Sequence, residues 1–324
     1  MKLSEILAEL PVTEAPRVAS ALALMRRQAL ASARLQGRVE ALLKEDNSPV
    51  TVVDLLHQTQ VQQLLRREFP VDALLCEEPR SLQERVLAQA VALSKEEYGF
   101  ELEAEIAELP SAGERVWILD PIDGTKGFVA GRYFAIALGY FLGSAPYFGA
   151  MAVPASGTTE ALAIDRSLAF SVSGVGAYVC GLDDPDEGGW EVLRLKASSQ
   201  TGPIRVAVSL AHGGPLSDRV RESSELEVVA LDSQAKYLAV ATGEIDAYVR
   251  AARDDGQSDV IWDHMPGALV AAGAGCTVHH FDGGDVTFVA AEAVAFRGGV
   301  VCSRDRLDGS VSRALRGLVA PSGG

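Results

Sequence analysis

Apolar positions recur at three- and four-residue spacing over residues 15–44, among Ala, Leu, Arg and Gln, and predict a long amphipathic helix there. The polar stretch Lys44-Glu45-Asp46-Asn47-Ser48-Pro49 breaks it. The β-branched run Val50-Thr51-Val52-Val53 leads to Asp54, which reads as the N-cap of a helix ending near Phe69, with Pro70 as its stop. Ala73-Leu74-Leu75-Cys76 reads as a short buried strand that delivers Glu77 and Glu78 at its end, and another helix is expected over 81–98. Arg115-Val116-Trp117-Ile118-Leu119 is the next buried strand, ending in an acidic turn at Asp120.

Over 133–163 strand-like runs alternate with Gly, Pro and Ser turns, which favours antiparallel sheet over βαβ winding. Residues 182–189 form a polar loop between two strands. Beyond Lys196 the pattern changes to strand, helix, strand, helix, strand over 204–208, 215–222, 226–231, 233–242 and 247–249. A helix over 263–272 follows, and the terminal Pro-Ser-Gly-Gly is expected to fray. The change of pattern divides the chain into an α+β lobe, 1–196, and an α/β lobe, 197–324. A length of 324 residues, beyond what one hydrophobic core usually serves, agrees with two lobes in one folded unit.

Composition narrows the class. Hydrophobic residues make up 48% and charged residues 23%, both near globular averages, and no apolar run approaches the roughly 18 residues of a membrane helix. The opening Met1-Lys2-Leu3-Ser4-Glu5-Ile6 lacks a signal-peptide pattern, so a cytoplasmic address is expected. Cys76, Cys180, Cys276 and Cys302 stand far apart without a Cys-x-x-Cys pair, which argues against zinc or redox chemistry and for reduced, buried thiols. A formal net charge of −15 disfavours nucleic acid and anionic membranes as partners. A phosphorylated small molecule would need cations to screen it, and metal ions are the obvious source.

Candidate chemistry sits in Asp120-Pro121-Ile122-Asp123-Gly124-Thr125-Lys126-Gly127. Proline fixes one backbone angle and turns the chain so that both carboxylates and the Ile122 carbonyl can face one cavity. Magnesium takes such oxygen donors in octahedral geometry and leaves room for substrate phosphate. The following Gly-Thr-Lys-Gly can cradle a phosphate with backbone N–H groups. On composition alone Asp-Pro-Ile-Asp-Gly is simply a good turn. Its position between apolar runs, where uncompensated charge is costly, points to the metal reading. Asp263, within Ile261-Trp262-Asp263-His264, is a further carboxylate at the start of an apolar helix; its plain reading is an N-cap.

Asp46-Asn47-Ser48-Pro49-Val50-Thr51 with Asp54, Glu77-Glu78, the run from Trp117 through the acidic turn to Phe128, and Trp262-Asp263-His264 resemble the lithium-sensitive, magnesium-dependent phosphatases of the inositol monophosphatase superfamily. With Asp232-Ser233-Gln234-Ala235-Lys236-Tyr237 added, the sequence is most similar to the 3′(2′),5′-bisphosphate nucleotidases. The resemblance implies a layered α-β-α-β-α sandwich with a mixed, largely antiparallel sheet in the first lobe. It implies up to three Mg2+ ions on Glu77, Asp120, Asp123, Asp263 and the Ile122 carbonyl, and a Thr125–Asp54 pair that orients the attacking water and accepts its proton. Four carboxylates and a roughly doubly charged phosphate nearly balance three divalent ions.

By the same resemblance, Gly124, Thr125, Ser209, His212, Ser233, Lys236 and Arg250 bind substrate, Lys236 and Arg250 meeting the 5′-phosphate or the base. Taken singly, Lys236 also reads as a solvated helix residue, Arg250 as a strand-end charge, His212 as a loop residue and His264 as structural. The expected reaction is hydrolysis of 3′-phosphoadenosine 5′-phosphate to AMP and phosphate by a monomer or homodimer. An inositol or sugar phosphatase is the alternative, and an inactive nucleotide or metal sensor the remote one. The chain departs from the family at Cys76, after Arg250 and at Met265-Pro266, which bears on substrate preference more than on catalysis.

Overall fold

The computed structural model describes residues 1–110, 112–154, 162–184, 188–195, 202–209, 215–224, 226–251, 259–304 and 315. The chain opens with α1 (Leu3–Leu7) and α2 (Ala15–Leu35). Helix α2 stops at Leu35 rather than running to Lys44: Gln36 turns out of the helical region at ψ 129°, and Gly37, at φ +70°, donates its N–H to the Phe128 carbonyl at 3.1 Å. The released chain makes a hairpin of β1 (Ala41–Leu43) and β2 (Pro49–Thr51), with Asn47 at φ +63° in its turn.

Helix α3 (Val52–Glu68) follows at once, and its N-cap is Thr51, not Asp54. Thr51 Oγ1 accepts the Val53 N–H at 3.1 Å, while Asp54 Oδ2 reaches back to accept the Thr51 N–H at 2.8 Å. This reciprocal capping satisfies two otherwise orphaned donors and turns Asp54 into the protein. Next come β3 (Ala73–Cys76), α4 (Arg80–Leu93) with a π-helical turn over Ser94–Tyr98, β4 (Arg115–Asp123), α5 (Thr125–Val129), β5 (Ala135–Leu142), β6 (Ala145–Val153), β7 (Ser167–Val172), β8 (Gly176–Gly181) and β9 (Glu191–Val192).

Strands β3 to β9 form one sheet in sequence order, antiparallel except for the β3–β4 pair. Strand β4 does not end at Leu119. It carries Asp120 to Asp123, and its register against β5 jumps from Asp120↔Ala137 to Asp123↔Ala135. Pro121 has no N–H for the ladder, so pairing fails there and the strand bulges.

The second half contains β10 (Ile204–Val208), α6 (Pro215–Glu222), β11 (Leu226–Ala230), α7 (Ala235–Thr242), β12 (Ala247–Ala251), β13 (Asp259–Val260), α8 (Met265–Ala274), β14 (Thr277–His280), β15 (Ala293–Val294) and β16 (Gly299–Ser303). Five of these strands form a mixed sheet in the order β11-β10-β12-β16-β14, and β13 pairs with β15. Helix α8 begins at Met265 rather than 263, because Asp263 lies in a preceding 3-10 turn, Ile261–Asp263.

Strand periodicity builds the layers. Trp117 and Leu119 pack with Leu22 and Met25 of α2 and Val61 of α3. Val116 and Ile118 belong to a second core with Leu238 of α7, Met265 of α8, Tyr248 of β12 and Cys302 of β16. Val206 and Val208 of β10 pack with Val220 of α6 in a third. The result is an α-β-α-β-α sandwich. Helix α8 lies tight on the first sheet: a Cβ at Gly149 would come within 2.6 Å of the Pro266 carbonyl oxygen. That close approach brings the turn bearing Asp263 to the end of β4. The four cysteines are free thiols, three buried and Cys76 half-buried. Among the described residues no helix is long and apolar enough to cross a membrane.

Candidate active site

A cavity of about 410 Å³ opens where the two halves meet, lined by the end of β4, the β1–β2 hairpin, the start of α7, β12 and the turn before α8. Capping of α3 makes the first part of the site. Asp54 is fully buried; its Oδ2 takes the Thr51 hydroxyl at 2.5 Å, leaving Oδ1 to Thr125 Oγ1 at 3.0 Å. Thr125 Oγ1 also lies 3.1 Å from the Ile122 carbonyl oxygen. Burial, opposed by the Thr51 hydrogen bond and assisted by the Glu77 charge, pushes the Asp54 carboxyl up to about 7. A carboxyl so poised takes or releases a proton near neutral pH.

The β4 bulge makes the second part. Asp120 is buried, and its Oδ1 has no hydrogen-bond partner among the described residues. Burial and then the charges of Glu77, Asp123 and Asp263 hold its carboxyl well above the ordinary range. Burial and Asp263 likewise push Asp123 up to about 7, against the pull of Lys236. The charges of three other carboxylates, Glu77, Asp123 and Asp263, therefore all bear on Asp120.

Among the described residues no group of three or more His, Cys, Asp or Glu is arranged to hold a metal ion as it stands. Glu77 is turned onto Lys44, whose Nζ lies 2.7 Å from Glu77 Oε1 and 2.8 Å from Glu78 Oε1. Burial works against the Lys44 charge, but the two glutamates outweigh it and raise its pKa. Glu78 is buried behind Glu77, its main chain clamped by the Gln58 carboxamide at 2.7 and 3.0 Å.

The second half supplies the remaining wall. The backbone N–H of Gln234 donates to Asp123 Oδ2. The Gln234 side chain donates to the Trp262 carbonyl at 2.7 Å and accepts from the Gly267 N–H at 3.0 Å. One residue thus ties the β4 bulge to the turn bearing Asp263. Gly124, at φ +86°, backs onto Ser233, at φ +64°; a Cβ on Gly124 would lie 3.1 Å from that of Ser233. Arg250 bridges Asp259 at 2.8 Å and Asp263 at 3.4 Å.

Lys236 is buried and lines the cavity, its Nζ 3.3 Å from the Leu231 carbonyl and 5.3 Å from the Tyr248 ring centre; burial lowers its pKa to about 8. It is therefore not a solvated helix residue. Ser209 lines the same cavity. His212 lies outside the described residues. His264 is buried with Nδ1 2.9 Å from the Tyr237 hydroxyl, which is a structural position.

Sequence reasoning passed over Lys44, Gln234 and His57, the last a buried residue one turn after Asp54 on α3. The signal for Lys44 was a lone cation in an acidic loop just before Ser-Pro; for His57 it was the three-residue spacing from Asp54 on one helix. Gln234 stood inside a quoted motif without a role.

Fold and site together define a layered α/β protein with a carboxylate-walled cavity built from both halves. The sequence profile of the inositol monophosphatase family matches residues 10–319, and the chain belongs to that family. A 3′(2′),5′-bisphosphate nucleotidase of Emericella nidulans is 30% identical over 315 residues, covering 84% of this chain and 89% of that protein. The 3′,5′-bisphosphate nucleotidase 2 of Arabidopsis thaliana is 28% identical over 337 residues, covering 91% and 95%. A solved IMPase/NADP phosphatase complexed with Mg2+ and phosphate superposes with a TM-score of 0.64 at 17% identity, covering 96% of this chain and 97% of that one. That last likeness is one of fold.

Proposed function

We propose that this chain is a magnesium-dependent phosphoric monoester hydrolase that converts 3′-phosphoadenosine 5′-phosphate to AMP and phosphate. The observation that carries the reading is the 3.0 Å contact of Thr125 Oγ1 with Asp54 Oδ1, made beside the carboxylates crowded on Asp120. The residues fit magnesium: hard oxygen donors, a buried carboxylate oxygen with no partner among the described residues, and a local crowding of carboxyls that a bound cation would relieve. Glu77, Asp120, Asp123, Asp263 and the Ile122 carbonyl would hold up to three ions. When bound, such ions lower the pKa of a water and stabilise a departing oxygen.

Thr125 hydrogen-bonds Asp54 through its proton and turns its lone pairs to the cavity, where they orient the attacking water. As the water attacks phosphorus, its proton passes to Thr125 and that of Thr125 to Asp54, whose burial keeps it a competent base near neutral pH. Gly124 and Thr125 line the cavity, which supports a role for their backbone N–H groups toward the reacting phosphate. Lys236 and Arg250, with Ser209 and Ser233, line the same cavity and suit the second phosphate of a nucleotide bisphosphate. The nucleotide itself is supported by the two relatives named bisphosphate nucleotidases. The reading carries with it a cytoplasmic enzyme, monomeric or homodimeric.

Phosphate release from a panel of monoesters tests the reading. With Mg2+ the bisphosphate nucleotide is preferred over inositol 1-phosphate by at least about tenfold in kcat/KM, a difference of about 1.4 kcal/mol in transition-state binding, and EDTA abolishes turnover. Preference for inositol 1-phosphate would overturn the substrate assignment in favour of an inositol monophosphatase. Absence of Mg2+-dependent hydrolysis of every ester would leave a nucleotide or metal sensor.

A further inference from the structure

His57 lies one turn beyond Asp54 on α3, fully buried, and its side chain is not part of the cavity wall. Its Nδ1 stands 3.0 Å from the carbonyl oxygen of Pro121, the residue at the centre of the β4 bulge. Its Nε2 stands 2.8 Å from the Tyr98 hydroxyl, at the end of the π-helical turn, and 3.4 Å from Ser32 Oγ of α2. A carbonyl only accepts, so Nδ1 carries the proton; Nε2 is then an acceptor, and Tyr98 donates to it. Burial keeps the ring neutral by lowering its pKa to about 4.

The bulge makes this bond consequential. Between Asp120 and Asp123 the sheet supplies no regular ladder partner, and Pro121 has its φ fixed by its ring but its ψ free. The direction of the Pro121 carbonyl sets that ψ, and with it the course of Ile122 and Asp123 relative to Asp120. The Ile122 carbonyl, one peptide on, faces Thr125 Oγ1 at 3.1 Å on the cavity side. Of the successive carbonyls of the bulge, that of Pro121 is thus turned to His57 in the helix layer and that of Ile122 to the cavity side, beside Thr125.

We propose that His57 is a positioning residue for the reaction: through Nδ1–H it holds the Pro121 carbonyl and so presents Asp120, Ile122 and Asp123 together, with Tyr98 selecting the tautomer that can do so. The proposal rests on the metal-site reading above, and the two fail separately. Magnesium binding is measured by calorimetry without substrate, on wild type and two variants. His57→Leu removes both ring bonds at similar volume; His57→Asn keeps an N–H where Nδ1 stood.

Wild type binds Mg2+ saturably, and His57→Leu binds it about tenfold more weakly, within the range by which groups behind a metal's ligands tune affinity. Its kcat falls at saturating substrate with KM little changed. His57→Asn recovers affinity to within about threefold of wild type, on the same scale. A leucine variant with wild-type Mg2+ affinity and kcat overturns the proposal. A wild type with no saturable Mg2+ binding overturns the metal-site reading instead. Independently of how the leucine variant folds, 15N spectra of the histidine rings in metal-free protein, with His57 assigned by its loss in His57→Asn, show the Nδ1–H tautomer. A proton on Nε2 overturns the proposal.

Discussion

Thr125 Oγ1 sits 3.0 Å from Asp54 Oδ1, the oxygen of Asp54 that the helix cap does not use. One carboxylate therefore closes the first turn of α3 with Oδ2 and meets Thr125, the proposed partner in the reaction, with Oδ1, so its position is set by the helix. The capping role and the chemical role read for this residue are compatible because they use different atoms.

Thr125→Ala and Asp54→Asn separate these roles. Each lowers kcat by about 10²- to 10⁴-fold, the usual contribution of a positioned acid–base group, with Mg2+ affinity and KM changed far less. Asn retains acceptor capacity toward the Thr51 N–H, so Asp54→Asn stays folded, as circular dichroism and the melting temperature would report. Steady-state kinetics of both variants beside Mg2+ titrations check this; a loss confined to KM would place Thr125 and Asp54 in binding.

Four buried carboxyls titrate late. Asp54 and Asp123 are pushed up to about 7 and Glu78 to about 8, and Asp120 lies well above its ordinary value, burial leading in each case. In the unfolded chain these groups are ionised by pH 6.5, near their model values of about 4. Between about pH 6.5 and 8 the folded state therefore binds more protons than the unfolded state, and stability falls as pH rises. His57, neutral when buried and lowered to about 4, works the other way, but only below its unfolded value of 6.5. Thermal melts in EDTA show a melting temperature that drops from pH 6.5 to 8, and added Mg2+ raises it more at pH 8 than at 6.5. A flat profile in EDTA would refute the crowding of these carboxyls.

Lys44 supplies the cation that Glu77 and the buried Glu78 share. Lys44→Met leaves Glu77 and Glu78 without their shared cation and lowers metal-free stability by about 1–3 kcal/mol. Magnesium restores most of the loss, because Glu77 becomes available to the ion and its charge is met there. Urea unfolding with EDTA and with Mg2+ measures both effects. Equal stability of variant and wild type in EDTA would show that the Lys44 bridge contributes nothing.

Much of this was legible in the chain. Strand β3 delivers Glu77 at its end as its apolar run predicted, and the alternation of second-half elements matches the observed strands and helices closely. The misreadings share a cause. Asp54 looked like a cap because an acid before an apolar helix usually is one, yet Thr51, three residues earlier, holds the N-cap position and accepts the Val53 N–H, while Asp54 sits in the first turn and reaches back to the Thr51 N–H. The extension of α2 to Lys44 followed a spacing that continued past the helix, while Gly37 was being drawn to the Phe128 carbonyl from another part of the chain. The acidic run read as a turn after a strand; facing β5, it is a bulge within the strand.

The side chains proposed as donors, their order and the elements that carry them can be read from the chain alone, because local periodicity, proline and short apolar runs act over a few residues. Only the tertiary structure decided which of those donors meet. The Gln234 bonds to Asp123, Trp262 and Gly267, the Lys44 bridge to Glu77 and Glu78, and the His57 hold on Pro121 each join positions far apart in the chain. Such pairings depend on how sheets and helices stack, and close packing of α8 on Gly149 and of Ser233 on Gly124 leaves them little freedom to be otherwise.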